Sequence, residues 1–324
     1  MKKGRKIYIN IEKIFCNMEL EYIVIMLAVC CFTAQFAFTK IFEGSIKQTT
    51  TTSLVMLVAT SIVGMILYLV IGLFDVQFSW FSFIWATILA VIMIPYYIIG
   101  IKVLSLGSLA IYSMFMMLGG MMVPFFYGIV FLCENISLGK VFGSILLTVF
   151  IILQAIWQDS NQGKYKEKST TKYKWLFFIL CLLIFILNGM TGVIAKAHQI
   201  GAEAIDEISF TVISCGLTAI FSAFILVSQF AKGNRKERWA EMKATFQWKP
   251  LMAMVAIGIA TYTGNFLHLK AAVKVPASVQ FPLVSGGVIV LSALVSAFIF
   301  REKVSKKEWV SVAGAFIATF LFAF

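Results

Sequence analysis

The residues able to do chemistry in this chain are few, and most stand in apolar surroundings. Two histidines, His198 and His268, cannot build a zinc site by themselves, and no cluster of carboxylates joins them. Cys16, Cys30, Cys31, Cys133, Cys181 and Cys215 form no CxxC pair and lie mostly in or beside apolar runs, where cysteine acts as a small hydrophobe. No GxGxxG, GxxxxGK, GxSxG or HExxH pattern occurs, so the sequence predicts no nucleotide site, no metal, no cofactor and no enzyme activity. What it offers is polarity embedded in grease. Tyr112, Asn265 and Gln280 sit well inside long apolar runs, and Lys40, Lys102, Lys196 and Lys270 each stand at the end of one. Glu43, Asp75, Glu134, Glu203, Asp206, Glu207 and Glu302 all fall in or next to polar breaks. A carboxylate deep in the grease, which could bind a proton and a cation in turn, is therefore not expected. The lysines and His268 favour an anionic or zwitterionic small molecule; the other reading is that the lysines snorkel to an interface.

The elements that must hold these residues follow from composition. Of 324 residues, 60% are hydrophobic and 13% charged, and the mean hydropathy is +0.93. Soluble domains carry roughly 45–50% apolar and about 25% charged residues. So apolar a chain cannot cover a water-facing surface, and the expectation is a multi-pass protein of the cell membrane with the lipid bilayer as its solvent. A crossing helix needs ~20 mostly apolar residues. Ten stretches qualify: 21–41, 53–74, 82–101, 107–131, 138–157, 175–195, 207–230, 250–271, 276–299 and 308–324. A spanning barrel would show short alternating segments instead, so the fold class is all-α. Trp80, Trp85, Trp157, Trp175, Trp239, Trp248 and Trp309 fall near span ends, as interfacial aromatics do. The net charge of +12 is spread through short segments between the apolar runs, which argues for lipid headgroups and against nucleic acid. The first twenty residues are basic, lack a long apolar core and read as a retained segment. Of the 27 Lys and Arg, nine fall on the side of the N-terminus and eighteen on the other. Counted alone they place the second side in the cytoplasm, whereas the basic segment before the first helix votes the opposite way.

A repeat organises the ten stretches. At an offset of 168 residues Lys102 meets Lys270, Gly119 meets Gly287, Glu134 meets Glu302 and Ser137 meets Ser305. Upstream, Lys40 closes the first span as Lys196 closes the sixth. The organisation is thus a basic segment 1–20, a first five-helix repeat 21–157, a polar linker 158–174 and a second repeat 175–324. Five spans per half force the second half to insert upside down, a construction that places a binding site near mid-bilayer between the halves. Gly119-Gly120 before Pro124, and Pro276 and Pro282 around Gln280, read either as flexible helix positions or as close-packing points.

The segments GIKVLSLGSLAIYSMFMML…PFFYGIVFLCENISLGKVFGSIL and HLKAAVKVPASVQFPLVSGGVIVLSALVSAFIFREKVSKKEWVSVAGAF resemble the two repeats of ten-helix, EamA-type members of the drug/metabolite transporter superfamily. The family pattern places a lysine after the third helix of each half, an acidic turn before the fifth and a glycine soon after. Lys102, Glu134 and Gly143 fit it in the first half, and Lys270, Glu302 and Gly314 in the second. Cys133 and Arg301 stand where the family usually has glycine before the acid. The resemblance implies cytoplasmic termini and a secondary transporter moving a small organic solute, a metabolite or amino acid, by alternating access. Export is the implied direction, and uptake of a metabolite or sugar or a non-transporting membrane protein are the alternatives. It also implies a cavity lined by the first, third and fourth helices of each half. The polar residues there include Tyr112, Asn188, Tyr262, Asn265, His268, Gln280 and Ser285 as substrate contacts, with helix–helix hydrogen bonding as their other reading. A small-molecule substrate is the expected partner, and a homodimer is compatible with the sequence.

Overall fold

A computed structural model describes residues 2–132, 137–157, 171–232, 235–272, 275, 277–302 and 304–321. They form eleven helices: α1 (Lys2–Ser45), α2 (Thr50–Ile71), α3 (Trp80–Leu106), α4 (Leu109–Leu132), α5 (Leu138–Trp157), α6 (Thr171–Gln199), α7 (Glu207–Lys232), α8 (Arg235–Thr245), α9 (Trp248–Ala272), α10 (Ala277–Phe298) and α11 (Lys306–Leu321). No strand occurs among the described residues. Seven segments, in α1, α2, α3, α4, α6, α7 and α9, are long and apolar enough to cross a membrane. The apolar stretches described in α5 and α10 are shorter, and α11 has 16 residues. Apolar side chains face outward in stripes at helical spacing, such as Ile62, Ile66 and Val70 on α2 or Ile220, Phe224 and Val227 on α7. In water such stripes would be a liability; against lipid they cost nothing. The chain is a multi-pass membrane protein.

Two elements depart from the sequence reading. The helix through the first span begins at Lys2 and so takes in the basic N-terminal segment. The polar stretch between the seventh and eighth spans holds α8, whose sequence RKERWAEMKAT is rich in good helix formers. Arg238 pins α8 to the bundle, donating to the Thr51 hydroxyl at 3.0 Å and to the Gln229 side-chain carbonyl at 2.9 Å.

The helix starts are written locally. Ser79 accepts the Ser82 N–H at 3.1 Å at the head of α3, and Asp206 Oδ1 accepts the Ile208 and Ser209 N–H groups at 3.0 Å before α7. Ser137 accepts the Lys140 N–H at 3.3 Å and Ser305 that of Glu308 at 3.2 Å. These two serines, matched by the 168-residue offset, therefore do the same capping work at the heads of α5 and α11. Glu308 returns the bond to the Ser305 N–H at 2.7 Å, completing a capping box.

Packing joins the halves through their small residues. α1 lies on α9 and α10; α6 lies on α3 and α4; α2 packs on α7, α5 on α11 and α4 on α10. A Cβ on Gly119 of α4 would come within 2.7 Å of the Phe185 Cα on α6. One on Gly287 of α10 would meet Val29 of α1 at 3.0 Å. Of the two readings of Gly119, the structure selects close packing.

The α10–α11 turn explains a departure from the family pattern. Arg301 adopts a left-handed backbone with φ 53°, which glycine enters without steric cost and an L-residue at roughly 1–2 kcal/mol. Arg301→Gly is accordingly expected to raise stability by about 0.5–1 kcal/mol, since the freer unfolded chain offsets part of the gain. Thermal unfolding in detergent would show it as a higher midpoint; a lower midpoint would mean that the Arg301 side chain carries an interaction worth more than the strain.

Candidate functional site

The bundle has two distinguishable ends. At one, the starts of α3 and α7 meet the end of α6: the Ser79 hydroxyl donates to the Glu203 carbonyl at 2.8 Å, the Gln77 N–H to the Ser209 hydroxyl at 3.0 Å, and Ser82 Oγ lies 2.8 Å from His198 Nε2. The His198 ring is stacked between Phe81 and Phe210, 4.0 Å from the latter. At the other end, the close of α1 and α3 and the start of α4 meet the α10–α11 turn through Lys40, Leu104, Leu109 and Glu302.

A cavity of about 380 Å³ runs inward from the first of these ends. Its rim is Gln199 and Glu207, whose side chains hydrogen-bond to each other. Along α7 its wall continues to Thr218, eleven residues beyond Glu207, or about 16 Å at 1.5 Å per residue. That is roughly half of a ~30 Å hydrocarbon core. Both halves contribute: Phe32, Gln35, Tyr68, Met93, Tyr96, Tyr97, Met116 and Gly120 from α1–α4, and Asn188, Thr191, His198, Thr211, Ser214, Cys215, Tyr262, Asn265, His268 and Ser285 from α6, α7, α9 and α10.

Pro124 supplies part of the reason that the α4–α6 wall is polar. It has no N–H to give the Gly120 carbonyl one turn back, and Gly120 lies on the cavity wall. Asn188 donates across the α4–α6 seam to the Met116 carbonyl at 2.6 Å. Tyr262 fills the niche left by Gly64 of α2, packs edge-on against Tyr68 and accepts from the Cys215 thiol at 3.1 Å. These contacts hold the aromatic wall in one rotamer and leave faces of rings, amide groups and hydroxyls toward the space.

Beyond Gln35 the path is sealed. Phe36, Ile101, Leu104 and Leu109 are buried, and Phe36 meets Tyr112 edge-on with ring centroids 5.6 Å apart. Tyr112 itself reaches toward Gly100, where even a methyl group would lie 3.1 Å from its hydroxyl.

Of the seven side chains expected to contact substrate, Asn188, Tyr262, Asn265, His268 and Ser285 line this one cavity. Tyr112 is placed in the seal, and Gln280 lies behind the wall, buried, with its Nε2 donating to the His268 carbonyl. None of Lys40, Lys102, Lys196 and Lys270 lines the space; Lys102 is exposed and Lys270 lies 5.3 Å over the Phe266 ring. Glu134 and Pro276 lie outside the described residues, as do the side chains of Ser278 and Pro282. The sequence reading passed over α7, although Thr211, Ser214, Cys215 and Thr218 repeat at i, i+3, i+4 and i+7 and so form one polar stripe on an apolar helix. That spacing was a usable signal.

No curated protein matches the sequence. A protein known from a crystal structure shares the fold, with a TM-score of 0.56 and 14% identity over 94% of this chain and 96% of that one. The family model of the EamA-like transporter family matches residues 168–324. In these residues the chain is similar to the EamA-like transporter family, which lies within the drug/metabolite transporter superfamily.

Proposed function

We propose that the chain is a secondary transporter with ten membrane-crossing helices in two inverted five-helix halves, which exports a small organic solute across the cell membrane by alternating access. The observation that carries this reading is the cavity between the halves, reached from one end, extending to mid-span and sealed at the other. The packing supports the inverted repeat. Exchanging α1–α5 with α6, α7, α9, α10 and α11 turns the α1–α10 contact into α6–α4 and the α1–α9 contact into α6–α3, both of which occur. The wall also narrows the solute. Among its described residues it carries no lysine or arginine, while Tyr68, Tyr96, Tyr97, Phe32, Met93, Met116 and Met117 give it an apolar, aromatic body. Amides and hydroxyls of Asn188, Thr191, Asn265 and Ser285 supply fixed polar points. A neutral or zwitterionic solute with an apolar body suits this wall better than an anion does.

Uptake is the second reading, and the eighteen Lys and Arg counted from the sequence on the side opposite the N-terminus, the side of the sealed ends of α1 and α3, favour it. Placed in the cytoplasm by their charge, they turn the open cavity to the outside, where an importer receives its solute. Mass spectrometry of medium and cell contents, comparing cells that overproduce the chain with empty-vector cells, separates the two. Export is expected to enrich a set of compounds in the medium and deplete them inside, and uptake to do the reverse. An unchanged profile across amino acids, nucleosides, sugars and organic acids would count against both.

A further inference from the structure

Lys40 stands five residues beyond Gln35 on α1, at the level where the cavity has ended. Its Nζ lies 3.1 Å from Glu302 Oε1, 3.7 Å from Glu43 Oε2 and 3.3 Å from the Leu104 carbonyl oxygen. Glu302 in turn accepts the Leu109 N–H at 3.0 Å and the Ser296 hydroxyl. One ammonium and one carboxylate thus tie together the close of α1 and α3, the start of α4, α10 and the α10–α11 turn. The pair crosses from the first half to the second, and its side chains are only 17% and 19% exposed.

The chemistry of this contact suits a gate better than a permanent weld. Well-packed apolar residues hold a buried junction at least as firmly as an ion pair does, because two charges must first be stripped of water. An ion pair differs in what happens when it opens: water enters and hydrates both ends, so the broken state is a defined alternative rather than an exposed apolar wound. The seal beneath it, Phe36 with Tyr112 and Leu104 with Leu109, has no such alternative, and it stays shut as long as the ends of α1, α3 and α4 are held together. Arg301 contributes by geometry: its left-handed backbone folds the turn so that the Glu302 N–H returns to the Ser296 carbonyl at 3.0 Å and the carboxylate points back at α1 and α4.

We propose that the Lys40–Glu302 pair is the bolt of the sealed end, closed in the present conformation and broken when that end opens. The proposal rests on the alternating-access reading of the cavity. In the sequence repeat the counterparts of Lys40 and Glu302 are Lys196 and Glu134; the proposal concerns Lys40 and Glu302 alone.

The test uses the full chain, with its native cysteines replaced by alanine, in membrane vesicles of known orientation. A membrane-impermeant sulfonated maleimide is added to one face at a time. Gln35→Cys reports the cavity, and Thr39→Cys, buried one turn deeper and outside the cavity lining, reports opening of the sealed end. In the parent chain Gln35→Cys is expected to react from the open face and Thr39→Cys only slowly from the opposite face. Lys40→Met and Glu302→Gln break the pair from its two ends, and the glutamine keeps an acceptor for the Leu109 N–H. Each is expected to raise Thr39→Cys labelling from the sealed face roughly tenfold, a shift of about 1.4 kcal/mol. Exchanging the charges, Lys40→Glu with Glu302→Lys, is expected to bring the rate back toward the parent. Equal labelling rates in parent and variants would overturn the bolt while leaving alternation standing, since the end would then open without regard to the pair. No labelling from that face in any variant would mean that the chain does not alternate, and the transport reading would fail with the bolt. If neither single variant elutes as a folded, monodisperse protein, the pair is a contact required for folding and the proposal falls.

Discussion

Gly119→Ala is expected to be among the most damaging single-methyl changes in this chain. The new Cβ would lie within 2.7 Å of the Phe185 Cα and carbonyl carbon on α6, and closer still to the carbonyl oxygen. Backbone atoms in the middle of a packed helix cannot swing away as a side-chain tip does. The α4–α6 pair must therefore separate, which also stretches the Asn188 bond to the Met116 carbonyl and opens the cavity wall. Overpacking usually costs 1–3 kcal/mol, and with only backbone to displace we expect the upper end, about 3 kcal/mol. The comparison variant is Gly44→Ala, where an added Cβ meets nothing within 4 Å. Yield of folded protein and the unfolding midpoint in detergent measure both. Equal behaviour of the two variants would show that the α4–α6 crossing is looser than the packing around Gly119 and Gly189 implies.

Asn265→Ala and Gln280→Ala are expected to fail in different ways, although both residues read alike in the sequence as amides deep in apolar helices. Asn265 lines the cavity. Truncating it removes a fixed polar point from the solute's surroundings, and the loss of one such bond, about 1–1.5 kcal/mol, raises the KM for transport roughly tenfold with the unfolding midpoint unchanged. Gln280 lies behind the wall and holds the His268 carbonyl. Gln280→Ala removes a buried hydrogen bond to that carbonyl, at a cost of about 0.5–1.5 kcal/mol, so the midpoint falls while the KM of the surviving protein stays near the parent value. The solute that the mass-spectrometric comparison identifies is the one to assay. A raised KM for Gln280→Ala at unchanged stability would move Gln280 onto the solute's path and redraw the cavity.

The same contrast shows how far the sequence reaches. Hydropathy and length were enough to read an all-helical, multi-pass membrane protein, since only a chain that satisfies its own backbone bonds can sit in hydrocarbon. The 168-residue offset made Ser137 and Ser305 equivalent, and both turn out to be N-caps, because a cap is a local device read within four residues. The glycine expected at position 301 points to a backbone requirement that φ 53° at Arg301 makes explicit.

Which face of each helix turns inward was not legible in the same way. In a soluble helix the apolar stripe marks the buried side, but lipid is as apolar as a protein core, so a membrane helix is greasy on both faces and the pattern that would orient it is erased. Only the packed bundle separates Asn265, on the cavity wall, from Gln280 behind it and Tyr112 in the seal. Long-range pairing is decided there too. In the chain Lys40 and Glu302 stand 262 residues apart, each a basic or acidic residue at the end of an apolar run. That the two meet at 3.1 Å and close one end of the bundle is set by how α1 lies on α10, which no local spacing encodes.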